Sequence, residues 1–401
     1  AQWSDGTPIS GSDFNYLWAQ ITRTPGANAA SGYQAISAVR TSGSGRVVTV
    51  DFDRRVEDWR MLFAHLLPSH LLVDKDFSSA LAEGIPASAG RYLVAGMDRS
   101  RGVITLNRND RFWGEDPATI DVIQLRALGD TSQAVNMLRS RQIGFADFTP
   151  QQTTLERLSL LSNVNTGVVK RRRQLRLDIS TLDAALPEEP QRRALASLLD
   201  SGQIARLATG RASELDPAHN PFHDPVELAP LRERAGHKPL RIAVDPQSPT
   251  ALAAANTIAD VLQSTAIDTE VVTERLTTIN ADLLPAGEVD AVVVWDDNGT
   301  DAMSMANYFT CATPSSPAAK LNGFCPENAE ETAAEILSGA VDSAGAQDKV
   351  HQLNSEHVLF VPLLNEVRIH ALGKGIVGPG QSIEDWDSGL VSAPQWRKDD
   401  G

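Results

Sequence analysis

The stretch VDAVVVW at residues 289–295 is the clearest structural signal in this 401-residue chain. A nearly continuous apolar run of this length is typical of a central strand that is buried on both faces of a sheet. Upstream, residues 240–244 and 270–273 are short apolar strands on either side of a helical pattern at residues 251–262. A strand, a helix and a strand in this order predict a β-α-β unit with parallel strands and a right-handed crossover. We therefore expect an α/β protein.

The rest of the chain mixes strands and helices in the same way. Apolar and polar residues alternate at 46–53 with the period of a strand, after the turn glycines Gly43 and Gly45. Residues 56–72 carry a helical pattern that Pro68 interrupts or ends. A chain of 401 residues is too long for one ordinary core, so we expect two or three domains. Two mixed α/β lobes joined by crossing strands would hold a ligand between them, at the ends of strands.

The composition limits the possible partners. The chain is 42% hydrophobic and 22% charged, as globular proteins are, and its formal net charge is −15. No segment reaches the roughly 18 uninterrupted apolar residues of a membrane span. An acidic chain repels nucleic-acid phosphates and anionic membrane surfaces, so we expect no nucleic-acid partner.

Catalytic and metal-binding motifs are absent from the sequence. There is no Gly-x-Ser-x-Gly, His-Glu-x-x-His, Walker or Gly-x-Gly-x-x-Gly motif, so we expect no enzymatic activity, no catalytic residue and no cofactor. His219 and His223, followed by Asp224, could hold a metal ion if they lay on a helix. Because Pro221 lies between them, we expect a surface loop and no metal site.

The turn after the buried strand carries the candidate ligand-binding residues Trp295, Asp296, Asp297 and Asn298. A turn at the carboxyl end of a parallel strand is where an α/β lobe exposes its binding groups. An aromatic plane beside two carboxylates and an amide suits a ligand amine or sugar hydroxyls. An ordinary acidic turn would have the same composition, and the two aspartates are also the candidates for a hydrolase of envelope glycans.

The one basic run of the chain is KRRR at residues 170–173. Arginine-rich runs can attract a phosphate-bearing ligand such as a phospholipid headgroup. A solvated strand end whose charges balance nearby acidic residues is the alternative, and it is the one we expect.

The two cysteines, Cys311 and Cys325, flank a loop-forming segment that contains Pro314, Pro317 and Gly323. A disulfide that closes such a loop would stabilise the fold by roughly 3 kcal/mol. Two buried free thiols are the alternative. We expect the disulfide, which indicates an oxidising compartment outside the cytoplasm.

An ordered series of segments resembles the extracytoplasmic solute-binding proteins of family 5, the peptide/nickel-binding type. The resemblance covers nearly the whole chain, and no single segment is decisive. The segments are WSDGTP at 3–8, DFNY at 13–16, YQAI at 33–36, LPSH at 67–70, SAGRY at 88–92, LNRN at 106–109, FWG at 112–114 and RRAL at 192–195.

This resemblance implies a fold and its domain boundaries. The fold is a two-lobed periplasmic-binding-protein-like α/β fold of the class II (cluster C) type with an extra strand-rich domain. Residues 1–88 would be part of the extra domain, residues 89–175 plus 366–401 the first lobe, and residues 176–365 the second lobe. In the family the WSDGTP segment lies well inside the mature chain. We therefore expect the N-terminal part, with the leading strands of the extra domain and first lobe, to be missing from this sequence.

The departures from the family pattern affect the expected ligand. Ala89 and Arg91 replace residues of the family's Gly-Thr-Gly-Pro-Tyr segment, and the acid that anchors a peptide amine in peptide binders is not cleanly placed after Trp295. Within the family the chain looks most like a mycobacterial lipoprotein. That likeness implies regulation of envelope glycolipid synthesis, from phosphatidylinositol mannosides to lipomannan and lipoarabinomannan. The alternative is the substrate-binding subunit of a peptide or small-solute ABC importer.

The resemblance also supplies the remaining expectations. Arg91 and Tyr33 join the residues of the turn as candidate ligand-binding residues. The partners would be a glycolipid or peptide in the interlobe cleft and an envelope biosynthetic enzyme or a transporter. The location would be the outer face of the cell membrane. The membrane would be reached only through a lipid anchor in the missing N-terminal part.

Overall fold

The computed structural model describes residues 1–27, 30–297, 299–313, 322–380, 382–383, 386 and 389–398. The strands are β1 (Ile36–Ser42), β2 (Val47–Phe52), β3 (Tyr92–Asp98), β4 (Val103–Arg108), β5 (Val122–Arg126), β6 (Phe145–Phe148), β7 (Asn165–Ile179), β8 (Asp216–Pro217), β9 (Leu240–Val244), β10 (Thr269–Thr273), β11 (Ala291–Asp296), β12 (Phe360–Leu372), β13 (Ile376–Val377) and β14 (Arg397–Lys398).

The α-helices alternate with these strands along most of the chain. They are α1 (Gly11–Arg23), α2 (Ala30–Gln34), α3 (Ser69–Leu72), α4 (Thr131–Arg139), α5 (Thr154–Ser159), α6 (Glu189–Ser197), α7 (Ser201–Thr209), α8 (Ala229–His237), α9 (Pro249–Ser264), α10 (Leu276–Thr278), α11 (Ala302–Ala306), α12 (Ala329–Leu337) and α13 (Ser343–His357). A π-helical turn at Ile279–Leu283 continues α10. None of the described helices has the length and apolar character needed to cross a bilayer.

The largest sheet runs in the order β10-β9-β11-β7-β12-β6, and β8 also pairs with β12. The predicted β-α-β unit is confirmed, because β9 and β10 are parallel and α9 connects them. β11 is a central strand, parallel to β9 on one side and antiparallel to β7 on the other. One face of this sheet packs on helices α6 to α9 in the largest core of the protein, which includes Leu177, Ile242 and Ile258.

Two long strands, β7 and β12, pair with each other along most of their length and connect β11 to β6 within the sheet. At the start of β12, pairs such as Val361 with Leu177 lie beside β11. At the end of β12, pairs such as Ala371 with Thr166 lie beside β6. The register shifts between Pro362 and Leu364 and again between Asn365 and Val367. β-bulges bend a strand, so the sheet bends at residues 362–367.

The family-like segments at 3–8, 13–16 and 67–70 meet around one buried carboxylate. Asp13 is 2% exposed, and it accepts hydrogen bonds from the Trp3 indole at 3.3 Å and from the Ser69 amide at 2.9 Å. At the surface of the same corner, His70 Nε2 lies 2.7 Å from an Asp5 carboxylate oxygen. That hydrogen bond lowers the pKa of Asp5 below its ordinary value. These contacts fix the entry into α1.

The first 88 residues contain more helix than the expected strand-rich domain. α1 has 13 residues, whereas the β1–β2 hairpin contributes 7 and 6. The sequence carried a signal for α1, because Ser10 and Asp13 form a capping box. This segment packs on α11, α12 and α13 in a second core that joins Leu17 and Tyr33 to Met303 and Ile336.

The predicted helix at residues 56–72 is wrong. A 3-10 turn at Trp59–Met61 and the short helix α3 are the helical structure there. Phe63 has a φ of +60°, which ends any α-helix at that position. The strain is offset by tertiary contacts, because the Phe63 ring packs on Phe14 at 5.0 Å and on Tyr33 at 5.3 Å.

The first-lobe sequence forms a separate sheet of three antiparallel strands, in the order β3-β4-β5. β3 and β4 are antiparallel neighbours, and β4 pairs with β5 in the same way. Apolar residues of these strands pack against Phe145 of β6 and the ring of Trp396. Asp130 is the N-cap of α4, since it accepts from the Gln133 amide at 2.8 Å.

The predicted disulfide is confirmed. Cys311 and Cys325 are joined, with their Cα atoms 5.3 Å apart. The bond ties the segment that follows α11 to the segment that precedes α12.

We expect the double variant Cys311→Ser, Cys325→Ser to lose about 3 kcal/mol of the free energy of unfolding, because the crosslink restricts the unfolded chain. Urea denaturation followed by circular dichroism measures the loss. Wild-type protein treated with dithiothreitol is the control and should unfold at the same urea concentration as the variant, since Cys325 is exposed. A variant as stable as the oxidised wild type would contradict a stabilising role.

Candidate functional site

The candidate site lies where β7 and β12 cross beside the carboxyl ends of β9 and β11. A cavity of about 440 Å³ opens there, and we name it the α9 cavity because the first residues of α9 line it. A second cavity of about 580 Å³, the α11 cavity, lies beside α11. Both are lined by Arg173, Leu276, Val294 and Trp295, so the two cavities adjoin at Trp295, and we call them together the cleft.

The α9 cavity is formed by residues from both ends of the crossing strands. Thr149 and Arg368 line it on the β6 side, and Asp245 and Thr250 line it on the β9 side. It therefore lies between the two predicted lobes, at the strand ends where α/β proteins hold ligands. The α11 cavity is bounded by β7 and β11 and by α11, with Met61 contributed by the N-terminal segment.

Trp295, a predicted ligand-binding residue, lines both cavities. It lies opposite Leu175 in the β11–β7 ladder. The Arg173 guanidinium lies 5.5 Å from the centre of its ring. This cation–π contact holds the indole in place beside both cavities.

Asp296 is paired with an arginine that the sequence analysis did not identify. Arg176 Nη1 donates to the Asp296 carboxylate at 2.6 Å and to the Tyr308 hydroxyl at 2.6 Å. Its Nε lies 2.7 Å from Asp178, and its side chain is 3% exposed. The register explains the contact, because Arg176 lies opposite Val294 and so diagonal to Asp296 on the same face.

This arginine stays charged although it is buried. Burial alone would lower the pKa of Arg176, but the charges of Asp178 and Asp296 outweigh burial and raise the pKa above its ordinary value. The α11 cavity therefore has one wall of fixed charges, in which one guanidinium is shared by two carboxylates. The three groups keep one net negative charge, and their polarised hydrogen-bonding atoms are held in place.

Asp297 and Asp301, the other acidic residues near the end of β11, make different contacts. Asp297 is 71% exposed and lies 3.6 Å from Arg173. Asp301 caps α11 by accepting from the Ser304 amide at 3.0 Å. Asn298, the amide of the predicted site, lies outside the described residues.

The structure does not bring Tyr33 and Arg91 to this cleft. Tyr33 is 5% exposed in the second core, where its hydroxyl accepts from the Phe63 amide at 3.0 Å. Arg91 lies in the first-lobe segment, where Nη1 donates to the Pro394 carbonyl at 3.5 Å. Tyr33 is needed to hold the left-handed turn at Phe63, and Arg91 helps fix the C-terminal segment, so both have structural contacts.

The side chains of the basic run at 170–173 alternate between the two faces of β7, so they contact different partners. Lys170 lies 3.1 Å from Asp216, Arg171 lies 3.2 Å from Asp147, and Arg172 donates to the Thr300 hydroxyl at 2.9 Å. This agrees with the expected strand of balanced charges. Arg173 is the member that lines the cleft.

Arg176, Asp178 and Arg211 line the cavities but were not predicted from the sequence. Arg176 and Asp178 are two residues apart in a strand and therefore share one face of it. This spacing could have predicted their ion pair. Arg211 follows α7 with no motif around it, and it is 6% exposed. For metal ions, the described residues contain no group of three or more His, Cys, Asp or Glu side chains that could hold one, and His219 and His223 lie in irregular structure.

The fold and cleft define a two-lobed extracytoplasmic solute-binding protein. The model of the family described as "Bacterial extracellular solute-binding proteins, family 5 Middle" matches residues 1–317. The chain therefore belongs to the bacterial extracellular solute-binding proteins of family 5. This membership gives the protein a location outside the cytoplasm and a ligand-binding role.

Two curated relatives come from Mycobacterium tuberculosis. The chain is 27% identical to LpqW, named a "probable monoacyl phosphatidylinositol tetramannoside-binding protein", over 86% of this chain and 62% of LpqW. It is 30% identical to the oligopeptide-binding protein OppA over 55% of this chain and 38% of OppA. The chain thus spans less than two thirds of the length of either relative.

Among solved structures, the fold is similar to AgaA from A. tumefacien R10, which was determined in complex with agropinic acid. The TM-score is 0.73 at 17% identity, over 100% of this chain and 86% of AgaA. At this identity the likeness shows the fold, and the predicted two-lobed architecture is confirmed by it.

We expect Arg176→Met to lower the free energy of unfolding by about 3–5 kcal/mol, because Asp178 and Asp296 would lose their buried counter-charge. Urea denaturation measures the change. Arg172→Met is the matched control on the same strand, and it should stay within about 0.5 kcal/mol of wild type since Arg172 is exposed. Equal stability of the two variants would show that the buried ion network does not stabilise the fold.

Proposed function

We propose that the cleft around Trp295 binds the mannosylated headgroup of a phosphatidylinositol mannoside. We further propose that the protein acts in the synthesis of envelope lipomannan and lipoarabinomannan rather than in nutrient uptake. The observation that carries this proposal is the fixed polar wall beside Trp295, in which hydrogen-bond donors and acceptors lie side by side. The carboxylates of Asp296 and Asp178 are already paired with Arg176.

A wall of this kind suits sugar hydroxyls. Each hydroxyl both donates and accepts, so it can bridge a carboxylate oxygen and a guanidinium N–H of the same ion pair. An ammonium group would use the carboxylates alone and leave the guanidinium N–H groups without a ligand partner. Asp297, with Arg173 at 3.6 Å, is partly balanced. The amphipathic indole edge of Trp295 adds an apolar surface for a sugar ring.

One of the two relatives supports the same choice. LpqW, whose printed name refers to a monoacyl phosphatidylinositol tetramannoside, matches 86% of this chain. A ligand carried by a membrane lipid would be reached most directly by a protein held at the outer face of the membrane. We therefore include lipid anchoring, and contact with an envelope biosynthetic enzyme, in the proposal.

The alternative function is that of a substrate-binding subunit of a peptide or small-solute importer. OppA, an oligopeptide-binding protein, matches 55% of this chain at 30% identity. The α11 cavity supports this alternative through Asp301, a further carboxylate on its wall. Direct comparison of the two ligand classes separates the two functions.

We also propose that the two lobes close on the ligand by bending at residues 362–367. The domains would be residues 1–88, residues 89–175 plus 366–401, and residues 176–365. The two register shifts in β12 support this hinge, because a bulged strand can change its bend with less disturbance of ladder hydrogen bonds than a regular one.

Trp295→Ala is expected to weaken binding of a deacylated phosphatidylinositol mannoside by about tenfold or more, since buried aromatic contacts carry a large share of binding energy. Isothermal titration calorimetry measures the dissociation constants. Trp113→Ala is the matched control, because Trp113 is 61% exposed and lies outside the cleft. Binding of mixed oligopeptides by the wild type, without binding of the mannoside, would favour the importer.

Saturating mannoside should decrease the radius of gyration in small-angle X-ray scattering, because closure of the lobes makes the protein more compact. The same measurement with free glucose is the control and should show no change. An unchanged radius of gyration at a mannoside concentration that calorimetry shows to be saturating would contradict the hinge.

A further inference from the structure

We propose that the α9 cavity contains a subsite for a singly charged phosphodiester, formed by Arg211 and the N-terminus of α9. This inference rests on the proposed function and deepens it, because the subsite would hold the phosphate that links inositol to glycerol in the headgroup. It assigns the two ends of the cleft different roles, with sugar in the α11 cavity and phosphate in the α9 cavity.

The first part of the subsite is the start of α9, a helix of 16 residues. Its N-cap residue, Ser248, makes no side-chain capping hydrogen bond, and Pro249 occupies the first turn. The first intrahelical bond runs from the Leu252 amide to the Ser248 carbonyl at 2.9 Å. The amides of Thr250 and Ala251 precede that bond and line the cavity, so their N–H groups and the helix dipole favour an anion there.

The second part is Arg211, which lines the same cavity and is 6% exposed. Its Nη1 donates to the Pro150 carbonyl at 2.6 Å, whereas its buried Nε–H has no acceptor. Burial lowers the pKa of Arg211, and Glu214 acts on it through charge without an ion-pair contact in the described part of the chain. A guanidinium remains charged in proteins, so a buried cation with an unused donor lines the same cavity as the first turn of α9.

The remaining charges of the cavity limit the charge of the ligand. Asp245 and Glu366 also line it. Asp245 accepts from the amides of Gln247 at 2.8 Å and Leu276 at 3.1 Å, so it is held in place as part of the wall. Arg368 is engaged by Asp147 at 2.7 Å and does not offset these acids. A doubly charged phosphomonoester would meet more repulsion than a singly charged diester.

The geometry also suits the shape of a phosphodiester. Its two non-bridging oxygens point in different directions, so one can accept from Arg211 and the other from the α9 amides. Ser248 and Thr250 line the same cavity, and their hydroxyls can donate to the bridging and non-bridging oxygens. Thr209 also lines it, but its hydroxyl already donates to the Ala205 carbonyl at 2.7 Å.

The test uses isothermal titration calorimetry of the full chain with glycerophosphoinositol, inositol 1-phosphate and a deacylated phosphatidylinositol mannoside. We expect wild type to bind glycerophosphoinositol at least tenfold more tightly than inositol 1-phosphate. Arg211→Gln should weaken glycerophosphoinositol binding by about tenfold to hundredfold, the range for a charge-assisted hydrogen bond. Arg206→Gln, which changes an exposed arginine of α7, is the control and should bind as wild type does.

Thr250→Asp is a second variant that does not depend on the buried arginine. A carboxylate in the first turn of a helix favours the helix, so the melting temperature should stay equal or rise. The same carboxylate would occupy and repel the phosphate, so binding should fall at least tenfold. Wild-type affinity in both Arg211→Gln and Thr250→Asp would overturn the subsite, as would failure of wild type to bind glycerophosphoinositol.

The ligands separate failure of the subsite from failure of the proposed function. If mannoside binds wild type and Arg211→Gln equally, the subsite is wrong and the proposed function stands. If mannoside binds no more tightly than glycerophosphoinositol and both depend on Arg211, the subsite stands and the mannoside function fails. If a tripeptide carboxylate depends on Arg211 and no phosphodiester binds, the phosphodiester assignment is overturned.

Discussion

The antiparallel pairing of β7 with β12 is the interaction on which the cleft depends. These strands run from the β9–β11 part of the sheet to β6, so both cavities are built around one hydrogen-bonded ladder. The bulges at residues 362–367 bend that ladder where the cleft opens. Residues before and after the bend therefore point into the same space, which is how Thr149 and Asp245 come to line one cavity.

The same ladder explains why the cleft is polar although the sheet is largely buried. On one face of β7, Leu175, Leu177 and Ile179 enter the main core. On the other face, Arg176 and Asp178 form the ion network with Asp296. A buried ion network keeps its atoms in fixed positions because each atom that loses its partner leaves an uncompensated charge. Fixed polar atoms at the cleft wall are the condition for selecting one ligand chemistry over another.

Much of the fold could be predicted because its signals are local. The apolar run at 289–295 and the strand-helix-strand order that precedes it both predicted the observed elements. The helix predicted at 56–72 failed because Phe63 takes a left-handed conformation that Phe14 and Tyr33 hold from elsewhere in the chain. α1 was missed although its capping box was visible at Ser10 and Asp13. Tertiary contacts overrode the helical pattern in the first case, and a local signal was overlooked in the second.

The sequence by itself determined the α/β class, the central strand and the position of Trp295 at its end, because apolar periodicity and turn residues act over short distances. It did not determine what Asp296 would contact. That contact depends on the register of β11 against β7, which places Arg176 diagonal to Asp296 across 120 residues of sequence. The charge that a ligand meets in the cleft is therefore a property of the tertiary structure, because only strand pairing decides which charges neutralise each other.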